Sequence, residues 1–255
     1  VGVFYSLQFN DLPQGNCKPM ISNAQSTEPR DHNKSGSLEV HSIFYTIQGE
    51  GPFAGRPAVF VRLAGCNLQC PGCDTDYTSQ RERMSVETIL ANINYKHSEK
   101  NGKSSLVVVT GGEPFRQNVY PLFDTLIAAG WEVQVETNGT MKIDEALLSG
   151  MVTVVCSPKT AKLHPSVAGV VDAFKYVVTA GNLDPSDGLP YQALGHQATP
   201  CIARPDKYFG GIIYVQPRDE QDPIANGRNT EETVLTAMAH DYTVQLQIHK
   251  ILKVE

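Results

Sequence analysis

Three cysteines, Cys66, Cys70 and Cys73, fall within eight residues in the segment GCNLQCPGCDT, Gly65 to Thr75, at the spacing C-x3-C-x2-C. Thiols held this close among Gly, Pro and Asn residues read as metal ligands rather than core packing. A structural zinc site closes on four ligands, usually as two CxxC-type knuckles, and neither a second Cys pair nor a suitably placed His pair is present. A [4Fe-4S] cubane has four irons, so three cysteines leave one iron open to an exogenous ligand. Cys17, Cys156 and Cys201 are not matched to this loop, and Cys156 reads as a strand-end core thiol.

An open iron suits S-adenosylmethionine (SAM), whose methionine amine and carboxylate can chelate it. Reductive cleavage of the sulfonium then supplies a carbon radical, chemistry that belongs to the cofactors while the protein positions them and excludes water. A second motif, TGGEP from Thr110 to Pro114, fits that need. Around Gly111, Gly112 and Glu113 a backbone without side chains can approach a ligand, and N–H, C=O and carboxylate groups can hold an ammonium. A Gly-Gly turn alone is ordinary loop chemistry; one βα unit after a cysteine loop it gains meaning.

Such motifs need a frame. From Leu38 onward short β-rich runs alternate with helical patterns, the signature of parallel βα units. Strands are predicted at Ala58–Leu63, Leu106–Val109, Glu132–Val135, Val152–Val155, Ala173–Val178, Ile212–Val215 and Thr243–Ile248. Val86, Ile89, Leu90 and Ile93 recur at helical spacing, as do Val119, Leu122, Phe123, Leu126 and Ile127 ahead of Gly130. The expected fold is α/β, a partial or distorted βα barrel. The cysteines follow the first of these strands, TGGEP the second, ETNG the third and SPK the fourth, so all lie at strand carboxyl ends, where βα barrels gather their catalytic loops. Residues 1–38, rich in Asn, Gln, Ser, Pro and Gly, are expected to be a poorly ordered extension to which no function is assigned, its start at Val1 reading as a trimmed or incomplete end, and 39–255 the catalytic domain.

Composition narrows the class. With 255 residues, 41% hydrophobic and 19% charged, and a net charge of -6, the chain is an ordinary globular protein without the basic stripe that direct nucleic-acid binding requires. No apolar run reaches membrane-span length, and no basic and hydrophobic leader with a cleavage site precedes the first strand. A cytoplasmic, non-membrane protein is expected, in a compartment that keeps clustered thiols reduced.

The cysteine loop and TGGEP resemble the radical SAM superfamily. FYTIQGEGPFAGRPAVFVRLAGCNLQCPGCDT, Phe44 to Thr75, with VTGGEP, VETNGT, SPK, FKYVV, YVQP and LQIHKIL in order, resembles the 7-carboxy-7-deazaguanine synthases of queuosine biosynthesis over most of residues 39–255. That resemblance implies ring contraction of 6-carboxy-5,6,7,8-tetrahydropterin, a small-molecule pterin, with loss of ammonia. It also implies a [4Fe-4S] cluster, SAM, Mg2+, a reductant such as flavodoxin or ferredoxin, and a homodimer. By motif, Ile47, Gln48, Gly49, Glu50, Thr110 and His249 match substrate positions, and Arg62 matches the group that meets the substrate carboxylate, a task suited to a planar, permanently charged fork. Glu255 stands where the family's tail closes over the substrate. Asp74, Gly112, Glu113, Ser157, Pro158, Lys159 and Gln216 match cofactor positions, and Thr75 matches the Mg2+ ligand.

Each type also has an ordinary use: Arg62 in a surface pair, Thr75 as a loop cap, Lys159 as a solvated charge, and Glu50, Asp74, Glu136, Asn138, Lys175 and His249 as supports. The 180–210 stretch is longer and less regular than the family requires. A glycyl-radical activating enzyme shares the cysteine loop and the TGGEP-like turn, but QGEGPFAGRPAVFVR and Thr75 favour the small-molecule reading. A non-catalytic zinc-binding interaction module is the remaining alternative.

Overall fold

Period-2 alternation gives each strand of this chain two chemically different faces. The computed structural model describes residues 23–33, 35–145, 148, 150–196 and 200–254. Its strands are β1 (Leu38–Ile47), β2 (Pro57–Leu63), β3 (Glu82–Met84), β4 (Leu106–Gly111), β5 (Glu132–Thr137), β6 (Val152–Cys156), β7 (Ala173–Val178), β8 (Ile212–Pro217) and β9 (Thr243–Val244). They form one nine-stranded sheet in the order β3-β1-β2-β4-β5-β6-β7-β8-β9. Neighbours from β2 to β9 run parallel, and β1 is antiparallel to both β2 and β3. The sheet does not close on itself, which is the partial βα barrel expected from the alternation.

On the outer face, Val59, Val61, Leu63, Val107, Val109, Val133 and Val135 join one core with Ile89, Ile93, Leu122, Phe123 and Leu126 of two covering helices. These are α1 (Val86–Glu99), capped by Ser85 accepting from the Thr88 amide, and α2 (Tyr120–Ala128), which has Pro121 in its first turn. On the inner face the amino-terminal half is apolar: Ala58, Leu106 and Val108 pack with Phe60, and Val155 with Ala173 and Tyr214. Two residues further along each strand the same face turns polar, with Arg62, Thr110, Glu136, Lys175 and Gln216 lining a cavity. The barrel interior is therefore sealed at one end and chemically active at the other.

Two expectations need correction, and one helix stands where none is predicted. The run Thr243–Ile248 alternates as a strand should, yet pairing stops at Val244 and the chain turns into a short helix, α4 (Ile248–Leu252). The Gln245 side chain instead reaches inward, donating to Gln216 Oε1 at 2.9 Å and accepting from the Gly51 amide at 2.7 Å. The longest helix, α3 (Pro223–His240), gave no apolar periodicity because the face it buries is Asn229, Thr233, Thr236 and Ala237. Finally, residues 23–33 are not a loose extension: they lie against the cysteine loop, the amides of Asn23 and Glu28 donating to its carbonyls. Residues 1–22, Cys17 among them, and Glu255 lie outside the described residues. Among the described residues no helix is long and apolar enough to cross a membrane.

Candidate active site at the carboxyl ends of the strands

A cavity of about 640 Å³ opens where the strands end, within the size range of small-molecule sites (roughly 300–1,000 Å³). Cys66, Cys70 and Cys73 all reach it, with Thr75 and Asp74 beside them, Gly111 and Gly112 from the second motif, and Ser157 and Lys159 from the fourth. Ile47, Gln48, Glu50, Arg62, Thr110, Gln216 and His249 complete the sequence-predicted set that faces it. Gly49, Glu113 and Pro158 do not line the cavity.

The cysteine loop is preset for a soft, multi-metal ligand. The Leu68 amide donates to Cys66 Sγ at 3.4 Å and Asn138 Nδ2 lies 4.0 Å from the same sulfur. Hydrogen bonds of this kind tune iron–sulfur clusters. Burial pushes the Cys66 thiol up to about 12 and the Cys70 thiol up to about 11 in the metal-free chain. Bound metal reverses that preference, because coordinating thiols are deprotonated. Among the described residues no three His, Cys, Asp or Glu side chains converge on one ion. Three thiols at the spacing C-x3-C-x2-C, all reaching one cavity, suit a cubane, in which each thiolate meets its own iron. The residues present therefore fit the cluster.

Gly112 explains the second motif. A Cβ there would run into the Gly65 carbonyl, so only glycine lets β4's end lie against the cysteine loop. The Glu113 amide donates to Gly65 O at 3.0 Å, closing the two motifs on each other. The Glu113 carboxyl is fully buried and points away from the cavity, accepting from the Phe115 amide (3.1 Å), the Asn138 amide (2.8 Å) and the Thr137 hydroxyl (2.8 Å). Burial raises it to about 7 despite those donors. In this structure its side chain ties TGGEP to ETNG. Glu113→Ala would leave those donors buried and unpaired, at about 3 kcal/mol, and a loss of unfolding free energy of that size in a urea titration is the expected result.

A polar network fills the opposite wall. Glu136 accepts from Thr110 Oγ1 (3.0 Å), Gln48 Nε2 (3.0 Å) and Gln134 Nε2 (3.1 Å). Glu50 pairs with the Lys175 ammonium and accepts from Gln216 Nε2 at 3.1 Å and Gln247 Nε2 at 2.9 Å. Burial alone would raise Glu50, but Lys175 beside it outweighs that and holds it well below the usual carboxylate range; Lys175 is raised in turn. Lys159, far from being a solvated charge, is buried, donates to the Ser157 carbonyl at 2.8 Å and the Ser157 hydroxyl at 2.5 Å, and is lowered by burial and by Lys175.

Arg62 is not in a surface pair either. It lies over the Phe44 ring at 5.1 Å and its buried Nε has no hydrogen-bond partner. The Thr75 hydroxyl caps no backbone amide among the described residues; what is held is its carbonyl, by Gln25 Nε2 at 2.9 Å. Asp74 pairs with Lys250 at 2.9 Å, and Lys250 also reaches Asp219 at 3.2 Å, which fastens α4 across the mouth. His249 sits against Gly49, where any Cβ would overlap its ring.

Several lining residues went unrecognised in the sequence. Phe44 and Phe60, stacked at 5.3 Å, carry no mark that separates them from other strand aromatics, and Gln247 and Lys250 stand beside His249 within the same LQIHK motif.

Comparison with known proteins agrees with this geometry. Residues 61–163 match the family model of the radical SAM superfamily. The chain is 43% identical over 240 residues to the 7-carboxy-7-deazaguanine synthase of Rhodospirillum rubrum, covering 91% of this chain and 97% of that protein. It is 35% identical to the one from Rickettsia prowazekii (86% and 89% covered) and 34% identical to that of Nitratidesulfovibrio vulgaris (85% and 98%). The fold is similar to that of QueE from Escherichia coli, with a TM-score of 0.60 at 22% identity over 82% of this chain and 93% of that one. Near-complete coverage at these identities, with a radical SAM match spanning the cysteine loop, places the chain in the 7-carboxy-7-deazaguanine synthase family.

Proposed function

We propose that this chain converts 6-carboxy-5,6,7,8-tetrahydropterin to 7-carboxy-7-deazaguanine with loss of ammonia. The observation that carries the reading is Arg62, a guanidinium with an unpaired buried Nε, facing the cavity that Cys66, Cys70 and Cys73 also line. A cation whose Nε is buried without a partner is costly unless a ligand pairs with it, and a carboxylate matches its fork. The Thr110–Glu136–Gln48 network offers the donors and acceptors to orient a pterin ring, and Phe44 and Phe60 supply an apolar wall.

The family requires a [4Fe-4S] cluster and SAM, which supply the radical chemistry when bound. Cys66, Cys70 and Cys73 would hold the cluster, and Gly111, Gly112, Ser157, Lys159 and Gln216 line the space left for SAM. Thr75 at the cavity wall offers its uncapped hydroxyl to Mg2+, an ion that takes one or two protein oxygens and keeps several waters. Our reading includes a cytoplasmic setting, a flavodoxin- or ferredoxin-type reductant and a homodimer. Neither a glycyl-radical activating enzyme nor a zinc-binding module accounts for the substrate wall described above.

The test is mass spectrometry after anaerobic reconstitution and incubation with SAM, dithionite and the carboxytetrahydropterin, with and without Mg2+. A deazaguanine acid is expected; SAM cleavage without it would overturn the substrate assignment. Arg62→Lys is expected to cut product formation by about tenfold or more, the scale of a lost charge-assisted contact, while SAM affinity holds. Equal losses in both would make Arg62 structural.

A further inference from the structure

We propose that residues 23–31 form a strap whose side chains preset the cysteine loop, with Asn23 and Gln25 as positioning residues for the cluster. The proposal rests on the cluster being bound by Cys66, Cys70 and Cys73. That loop has no strand or helix partner for its backbone, so its polar groups must be met from elsewhere. The strap meets them one after another. Asn23 donates from Nδ2 to Cys70 O at 3.2 Å and from its amide to Pro71 O at 3.1 Å. Gln25 Nε2 donates to Thr75 O at 2.9 Å, and Gln25 Oε1 accepts from the Tyr77 amide at 2.7 Å and the Thr78 hydroxyl at 3.1 Å. The Glu28 amide donates to Cys66 O at 2.7 Å.

Two of the three cysteine carbonyls and the carbonyl of Thr75 are thus fixed by one extended segment. The strap is anchored at its far end by charge: Glu28 pairs with Arg81 at 2.5 Å and Arg116 at 3.3 Å, and Asp31 with Arg83 at 3.2 Å. Arg116 is almost wholly buried and lies two residues after TGGEP, so the strap links both motifs. From the opposite side the irregular 180–210 stretch contributes Leu194, whose carbonyl accepts from the Gly72 amide at 2.7 Å. The loop is held by the protein's own groups on both the strap and the 180–210 stretch, which lowers the ordering cost of cluster binding.

The test uses the full chain carrying Asn23→Ala and Gln25→Ala together. In the metal-free protein, hydrogen exchange across residues 66–78 is expected to quicken by about tenfold or more, because several backbone partners are lost. Exchange in the central strands and the melting temperature should hold. In the reconstituted protein the Fe–S absorbance should bleach several-fold faster under a chelator. Gln25→Glu keeps the acceptor for Tyr77 and loses the donor to Thr75, so its effect should be smaller and concentrate near Thr75. If the double variant does not fold, Gln25→Ala alone carries both measurements. Unchanged loop exchange with unchanged bleaching would overturn the strap, as would faster bleaching accompanied by a general loss of stability. Faster loop exchange in a protein whose wild type takes up no cluster would leave the loop contacts standing and sink the cluster reading instead.

Discussion

Cys66→Ala, Cys70→Ala and Cys73→Ala are each expected to abolish SAM cleavage, while Cys156→Ala and Cys201→Ala retain it. A cubane held at three corners loses its anchorage when one thiolate goes, and no other described cysteine lines the cavity to substitute. Cys156 is wholly buried at the end of β6, and its thiol, raised by burial, behaves as a core group. Its loss should cost about 1 kcal/mol of stability through a small cavity and leave the cluster spectrum intact. Anaerobic reconstitution of each variant, followed by visible absorbance and 5'-deoxyadenosine release, checks the set. Full cleavage by Cys70→Ala would refute the ligand assignment.

Breaking the Glu50–Lys175 pair should be the largest stability effect at the site. Both side chains are buried, about 11% and 12% exposed, so Glu50→Gln would leave the Lys175 ammonium without its main counter-charge and near Lys159. Loss of one partner of a buried pair costs roughly 3–5 kcal/mol, whereas removing both costs less. The double variant Glu50→Gln/Lys175→Met is therefore expected to be more stable than Glu50→Gln alone.

The pH dependence has a definite sign. Glu50 is depressed from 4.5 to about 2, so its contribution is fully present above pH 4.5 and is lost as pH falls through about 2. Lys175 is raised above 10.5, so its contribution is fully present below that pH and is lost as pH rises through its folded value. Urea midpoints across acid pH should show a steep decline in the wild type and a flatter one in Glu50→Gln. A wild-type profile as flat as the variant's would mean that Glu50 gains nothing from Lys175.

Local chemistry is legible along the chain. The C-x3-C-x2-C spacing puts three thiols on one short loop however the rest folds, and Gly111–Gly112 permits a close backbone approach wherever it lands. Short runs of β-branched and aromatic residues identified the central strands, Ala173–Val178 to the residue, because parallel strands covered on both faces keep most of their positions apolar. Segments whose contacts are polar left no such mark, which is why α3, with its Asn and Thr face, and the strap at 23–33 escaped notice.

Which polar residues meet is set by long-range packing. Arg62 stands beside Thr110 because β2 and β4 pair in parallel in that register, and a one-residue slip would have turned Arg62 into the outer core. Glu113 and Glu50 look alike in sequence as carboxylates after glycines, yet one is raised by burial among neutral donors and the other lowered by an ammonium from a strand 125 residues away. The same long-range packing converted Thr243–Ile248 from an expected strand into a sheet edge followed by α4, because Gln245 finds its partners inside the barrel and Lys250 finds Asp74 and Asp219 across its mouth. Spacing along the chain fixes which atoms can bind metal; only the fold fixes which charges surround them, since those charges arrive from strand ends far apart in sequence.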